Sequence, residues 1–207
     1  MSSAVVCWDF DETLGYFRPR EYRWDGVPIP EGMPAARLKP GIGELLESLS
    51  EFTHIVTTAA VRDYVVSVLQ EFGLLRHFTM VIGREDGIYT ESGKDYGVVG
   101  ARCGFPDDAL KSRLVIVGND DRIDPDCRYR QVVMVHNKRM MDQPSPPLGV
   151  VLRGLHREGE GDFKRGFDAL FDRSAGKPLE IEESVKLKLD YWGSYAENRV
   201  HPIVTVN

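Results

Sequence analysis

An apolar run, Ala4-Val-Val-Cys-Trp8, gives way at once to Asp9-Phe10-Asp11-Glu12-Thr13-Leu14. If the run is a strand, its alternation puts Asp9 and Asp11 on one side and Phe10 on the other. Two carboxylates then share one small volume, which is costly unless a cation sits between them or one carboxyl stays protonated. A lone acid after a strand reads as a polar turn; a pair at this spacing, closing a fully apolar run, reads as a site. Three further places supply complementary groups. Thr57-Thr58 ends a second run and offers hydroxyls that can donate to a phosphoryl oxygen. Lys94 precedes a helical stretch and can neutralise anionic oxygens. Gly118-Asn119-Asp120-Asp121, with Asp124 beyond, follows Leu114-Val-Ile-Val117. Each has a plain explanation taken singly: β propensity for the threonines, an ordinary surface lysine, acids in a turn after glycine. Taken together, acids facing an existing carboxylate pair repel without a metal, and oxygen-only donors suit Mg²⁺ rather than zinc or copper.

The elements that must position these groups alternate short β-rich runs with amphipathic helical stretches, the pattern of an α/β protein with a mostly parallel sheet. Ala4 to Trp8 is continuous rather than alternating, as a central strand covered on both faces should be. Lys39-Pro-Gly41 opens a helix marked by Ile42, Leu45, Leu46, Leu49 and Phe52, which leads into the strand His54-Ile-Val-Thr57. Val61, Val65, Val68, Leu69 and Phe72 give a second helix ending at Gly73, and Phe78 to Ile82 a third strand. A helix is expected over Asp95 to Arg102 and a short one after Pro106. Leu114 to Val117 and Gln131-Val-Val-Met-Val135 complete five strands. Ligands in open parallel sheets bind beyond the carboxyl ends of the strands, where all four chemical segments fall. Farther on, Gln143-Pro-Ser-Pro-Pro147 reads as an extended linker and Glu158 to Gly161 as a flexible loop. Phe163, Phe167, Leu170 and Phe171 mark a helix, and Val185 to Trp192 with Val200 to Val206 alternate as a hairpin does.

With 207 residues the chain suits one domain and an appendage, and 42% hydrophobic content is enough for a buried core. The 26 basic and 32 acidic residues give a net charge of -6, which removes the overall electrostatic footprint of a general nucleic-acid binder. Cys7, Cys103 and Cys127 are widely spaced and suggest neither a disulfide framework nor zinc, and a reducing compartment fits them. The five histidines, at 54, 77, 136, 156 and 201, have no ligand spacing and read as structural. No run approaches the ~20 apolar residues of a membrane span. The expectation is a soluble, cytoplasmic protein.

The order DFDETL, IVTT, GKD, VIVGNDD resembles the four motifs of the haloacid dehalogenase (HAD) superfamily of phosphohydrolases, over about Ala4 to Val135. Within it, Lys39-Pro-Gly41, Thr58-Ala-Ala-Val-Arg-Asp-Tyr64 and Lys94-Asp95 are similar to the capless phosphatases related to the RNA polymerase carboxy-terminal-domain phosphatases. The resemblance implies a Rossmann-like, three-layer sandwich and a catalytic set of Asp9, Asp11, Thr58 and Lys94. Asp9 would be the nucleophile that becomes an aspartyl-phosphate. Asp11 would protonate the leaving oxygen and then activate water. Thr13 would help hold the loop, while Thr58 and Lys94 would bind the transferring phosphoryl group. Mg²⁺ would be held by Asp9, the backbone carbonyl of Asp11 and Asp120, with Asn119 among the substrate-binding residues and Asp121 and Asp124 supporting the loop. Asn119 departs from the family's commoner form, in which an acid directly follows the glycine; an amide brings no charge and weakens metal binding.

Neither 15–38 nor 59–93 is long enough for a folded cap; the second is filled by one helix, one strand and a loop. An open site admits phosphoproteins or other large substrates, and an oligomer partner could close it over small ones. In the 15–38 flap, Phe17-Arg-Pro-Arg-Glu-Tyr-Arg-Trp24 interleaves aromatics with Arg18, Arg20 and Arg23. That suits either a grip on an anionic or aromatic phosphorylated group or a hairpin packed on the sheet. The division expected is a phosphatase domain over 1–173 and a carboxy-terminal extension over 174–207. The competing functions are a sugar or nucleotide phosphatase and a non-catalytic module that keeps the fold. A receiver domain is disfavoured, because its acid pair is adjacent and its phosphoryl acceptor lies on a later strand.

Overall fold

Val5–Asp9 (β1) lies at the centre of a sheet, flanked in parallel by Thr53–Thr57 (β4) and by Leu114–Gly118 (β8). Met80–Ile82 (β5) adds outside β4, and Arg130–Met134 (β9) outside β8, both parallel. The computed structural model describes residues 4–11, 13–17, 36–90, 93–105, 112–118, 130–134, 146–163, 165, 166, 169, 185–188 and 203–206. The five parallel strands are those expected from the sequence. Val185–Lys188 (β10) and Ile203–Val206 (β11) form the expected hairpin, and β10 pairs antiparallel with β9. The sheet therefore has seven strands, in the order β11-β10-β9-β8-β1-β4-β5.

Successive residues of β1 feed two separate cores, as strand alternation requires. Val6 and Trp8 pack with Val56, Val115 and Val117 under Ile42–Ser48 (α1), Arg62–Glu71 (α2) and Pro146–Glu158 (α4). Val5 and Cys7 pack with Ile55, Leu114 and Ile116 under Gly97–Cys103 (α3). Helices cover both faces, and the fold is a Rossmann-like three-layer α/β sandwich. Packing rather than propensity holds α1, whose seven residues are too few for an isolated helix. Leu46 is fully buried there, a contribution of roughly 1.5–3 kcal/mol.

Three details differ from the sequence expectation. Pro146 and Pro147 do not belong to a linker: they open the 13-residue helix α4, whose Leu152 and Leu155 are buried in the first core. The first turn of a helix has no intrahelical partner for its N–H groups, so proline costs nothing there. The third strand starts at Met80 rather than Phe78, because Leu75–His77 makes a 3₁₀ turn before it. Finally, the loop before Lys94 contains a small antiparallel ladder, Tyr89–Thr90 (β6) with Gly93–Lys94 (β7). The helix expected after Pro106, most of the helix at 163–171 and Cys127 lie outside the described residues. Among the described residues no helix is long and apolar enough to cross a membrane.

Candidate functional site

The loop leaving β1 is pinned from below. Phe10 is fully buried, stacked on Phe17 at 4.2 Å and 13° and met edge-on by Tyr64 at 6.3 Å. Aromatic pairs of this kind add about 0.5–1.5 kcal/mol beyond burial. Leu14 N–H donates to Phe10 O at 3.1 Å, and Thr13 and Leu14 are buried. Gly15–Phe17 (β2) then pairs antiparallel with Ala36–Leu38 (β3), which brings the two ends of the 15–38 insertion together. Gly15 is required at this crossing: a Cβ there would lie 2.4 Å from the Arg37 carbonyl oxygen. Lys39 closes the loop through its N–H to Leu14 O at 3.0 Å; burial pulls its ammonium pKa down to about 8.

Phe10 being anchored, Asp9 and Asp11 both stay at the carboxyl end of the sheet, Asp9 partly buried and Asp11 exposed. Lys94 crosses from β7 and places its ammonium on Asp9 Oδ1, and donates a second hydrogen bond to Thr57 O at 2.9 Å. The side chains of Lys94 and Asp9 are 16% and 22% exposed, so the pair is neither solvated like a surface ion pair nor sealed in the core. The β1–β4 register sets Asp9 beside Thr57, with Thr58 next in line.

The two threonines differ in what they have left to offer. Thr57 is buried with its hydroxyl aimed at Trp8 O, 3.5 Å away. Thr58 is 2% exposed, and its Oγ1 accepts the Ala60 N–H at 3.0 Å. That bond uses the oxygen, and among the described residues the hydroxyl proton has no acceptor. A buried donor left over at the end of a strand suits an anionic oxygen arriving from outside. Burial first, and then the negative charge of Asp11, push the Tyr64 phenol up. Cys7, one step inside from Asp9 on the same face, is a sealed thiol that burial pushes far up, and it takes no part in the site.

A segment that sequence patterns did not single out holds Thr58 and Lys94 in place. Gly83 to Asp86 brackets the β4–α2 loop: Thr58 N–H donates to Ile82 O (3.0 Å), Arg84 N–H to Ala60 O (3.0 Å) and Arg84 Nε to Ala59 O (2.7 Å). Glu85 Oε1 accepts the Arg62 N–H at 2.9 Å at the start of α2. The nearly buried carboxylate of Asp86 accepts from Gly83 N–H (2.9 Å), Arg62 (3.1 Å) and Arg102 of α3 (2.7 Å). Gly83 has to be glycine, because a Cβ would lie 2.7 Å from Arg62 N. The bracket then runs on to Asp95, whose N–H donates to Ile88 O at 2.7 Å, one residue past Lys94. The one visible hint was an acid-rich turn after a glycine at a strand end.

Of the residues expected at the site, the structure brings Asp9 and Lys94 into contact and sets Thr58 and Asp11 on the adjoining loops. Asn119, Asp120, Asp121 and Asp124 lie outside the described residues, as do Arg18, Arg20, Arg23 and Trp24 of the flap. Asp9 and the backbone carbonyl of Asp11 are hard oxygen donors that fit part of a Mg²⁺ shell. Among the described residues no group of three or more His, Cys, Asp or Glu side chains could hold a metal.

No protein-family model matches the chain, and no curated protein matches it. Solved structures similar to it include the core domain of a protein from Streptococcus pneumoniae TIGR4 named as a phosphoglycolate phosphatase. That likeness has 14% identity and a TM-score of 0.46, and covers 74% of this chain and 95% of that one. A HAD-superfamily hydrolase from Ehrlichia chaffeensis is similar at 16% identity and a TM-score of 0.42, over 58% of this chain and 81% of that one. Likeness this distant carries no chemistry from one chain to another.

Proposed function

We propose that the chain is a Mg²⁺-dependent phosphate-monoester hydrolase acting through a phosphorylated aspartate. The observation that carries the reading is Lys94 on Asp9 at the carboxyl end of the central strand, beside a buried Thr58 with a proton to give. A structural ion pair has no use for that spare donor; a phosphoryl site needs both.

The Asp9 oxygen that Lys94 does not hold attacks phosphorus while the bond from phosphorus to the leaving oxygen breaks. Asp11, exposed and two residues on, gives its proton to that leaving oxygen. Thr58 and Lys94 hold the non-bridging oxygens, where charge accumulates. In the second half Asp11 takes a proton from water as the water oxygen attacks phosphorus, and the bond to Asp9 breaks, releasing phosphate and restoring the carboxylate. Asp9, the Asp11 carbonyl and Asp120 would hold Mg²⁺, which supplies the positive charge that lets a phosphate dianion approach a carboxylate. The insertions at 15–38 and 59–93 are too short for a cap domain, which favours large substrates such as phosphoproteins.

The test is hydrolysis of phenyl phosphate by the full chain with Mg²⁺ and with excess chelator. Turnover is expected only with the metal. Equal rates in both conditions would remove the metal from the account, and no turnover of any phosphate ester would leave the fold as a binding module.

A further inference from the structure

Among the described residues two large hydrophobic side chains are exposed, Val61 at 51% and Tyr89 at 55%. Both border the phosphoryl-binding groups. Val61 is three residues past Thr58. Tyr89 is the direct partner of Lys94 in the antiparallel β6–β7 ladder. Directly opposed residues of such a pair point to the same face with Cβ atoms about 4.5–5.5 Å apart. From that shared face the Lys94 side chain turns inward to Asp9, while the Tyr89 ring stands in solvent, with no ring contact or side-chain hydrogen bond among the described residues. The exposed Tyr89 ring thus stands opposite the residue whose ammonium contacts Asp9.

We propose that Tyr89 is a specificity-determining stacking platform and that the site takes phosphate monoesters whose leaving group is an aromatic ring. The proposal rests on the reading of Thr58 and Lys94 as the phosphoryl-binding pair. A ring on the ester oxygen can lie offset against the phenol face, an arrangement open to no aliphatic leaving group.

The experiment compares the binding of phenylphosphonate and methylphosphonate, which cannot be hydrolysed, to the full chain in Mg²⁺ by calorimetric titration. Wild type, Tyr89→Phe and Tyr89→Ala are measured, and phenyl phosphate turnover is followed in parallel. Wild type and Tyr89→Phe are expected to prefer phenylphosphonate by about 3- to 10-fold, and the ratio is expected to fall towards one in Tyr89→Ala. Equal affinities in wild type, a preference kept by Tyr89→Ala, or no binding of either phosphonate overturns the proposal. A preference that depends on Tyr89 in a protein that hydrolyses nothing upholds the aromatic site and overturns the hydrolase reading.

Discussion

Trp8 and Asp9 are neighbours on one strand, yet each carries its polar atom into a different layer and meets a different fate. The Trp8 indole donates to His54 Nδ1 at 3.0 Å, which fixes the tautomer, so that His54 Nε2 donates to Leu49 O at 2.9 Å. Trp8 is fully buried and His54 3% exposed; each polar atom has its partner, and burial lowers the His54 pKa so that the ring stays neutral. On the opposite face Asp9 meets Lys94 where both remain partly exposed, and Thr58 beside them keeps a proton unspent. A closed, neutral network stabilises; an open, charged one with spare capacity is what the proposed chemistry needs. Burial of polar groups alone does not separate the two, whereas the bonds they have left to make do.

Substitutions on the two faces should therefore separate activity from stability. Asp9→Asn keeps the shape but removes the proposed nucleophile, and phenyl phosphate turnover should fall by at least ~10³-fold with the melting temperature scarcely moved. A variant that unfolds instead would make Asp9 structural. Lys94→Met should lower turnover about 10²-fold, the usual loss for one electrostatic stabiliser of developing charge. On the closed face, His54→Phe strands the Trp8 N–H and the Leu49 carbonyl and should cost about 2 kcal/mol in denaturant titrations, with turnover kept. In wild type the lowered His54 pKa makes its contribution complete above pH 6.5, the ordinary value. Below that the unfolded state takes the proton first, so stability should decline with acid, and less steeply in His54→Gln. Smallest, Thr58→Val should lower turnover about tenfold and Thr58→Ser should restore most of it, since only the hydroxyl is asked to act. If His54→Phe slows turnover as much as Thr58→Val does, the contrast between the faces fails.

The layout of both faces was readable wherever one strand or helix carried its own signal. Val5 to Trp8 is continuous because cores press on it from two sides, and Leu45, Leu46, Val65 and Leu69 recur at helical spacing because they share one core. Asp9 and Thr58 could be placed together from the sequence because strand ends in a parallel sheet point their loops one way. What escaped was set by distant partners. Pro146-Pro147 carries the same punctuation in a linker as at a helix start, and only the packing of Leu152 and Leu155 decides between them. The β6–β7 ladder is two residues long on each side, too short for alternation, though it aims Lys94. Asp86 ties α2 and α3 through arginines 24 and 16 residues away, a bracket that no local pattern announces.

The claim on which the rest depends is that phosphorus becomes bonded to Asp9. The direct measurement is an acid quench of the full chain during turnover of phenyl phosphate with Mg²⁺, followed by peptide mass spectrometry. The account predicts one acid-stable, hydroxylamine-labile phosphoryl group on the peptide spanning Asp9, present in wild type and missing from Asp9→Asn. A label mapped to any other residue, or active protein that never acquires one, would contradict it.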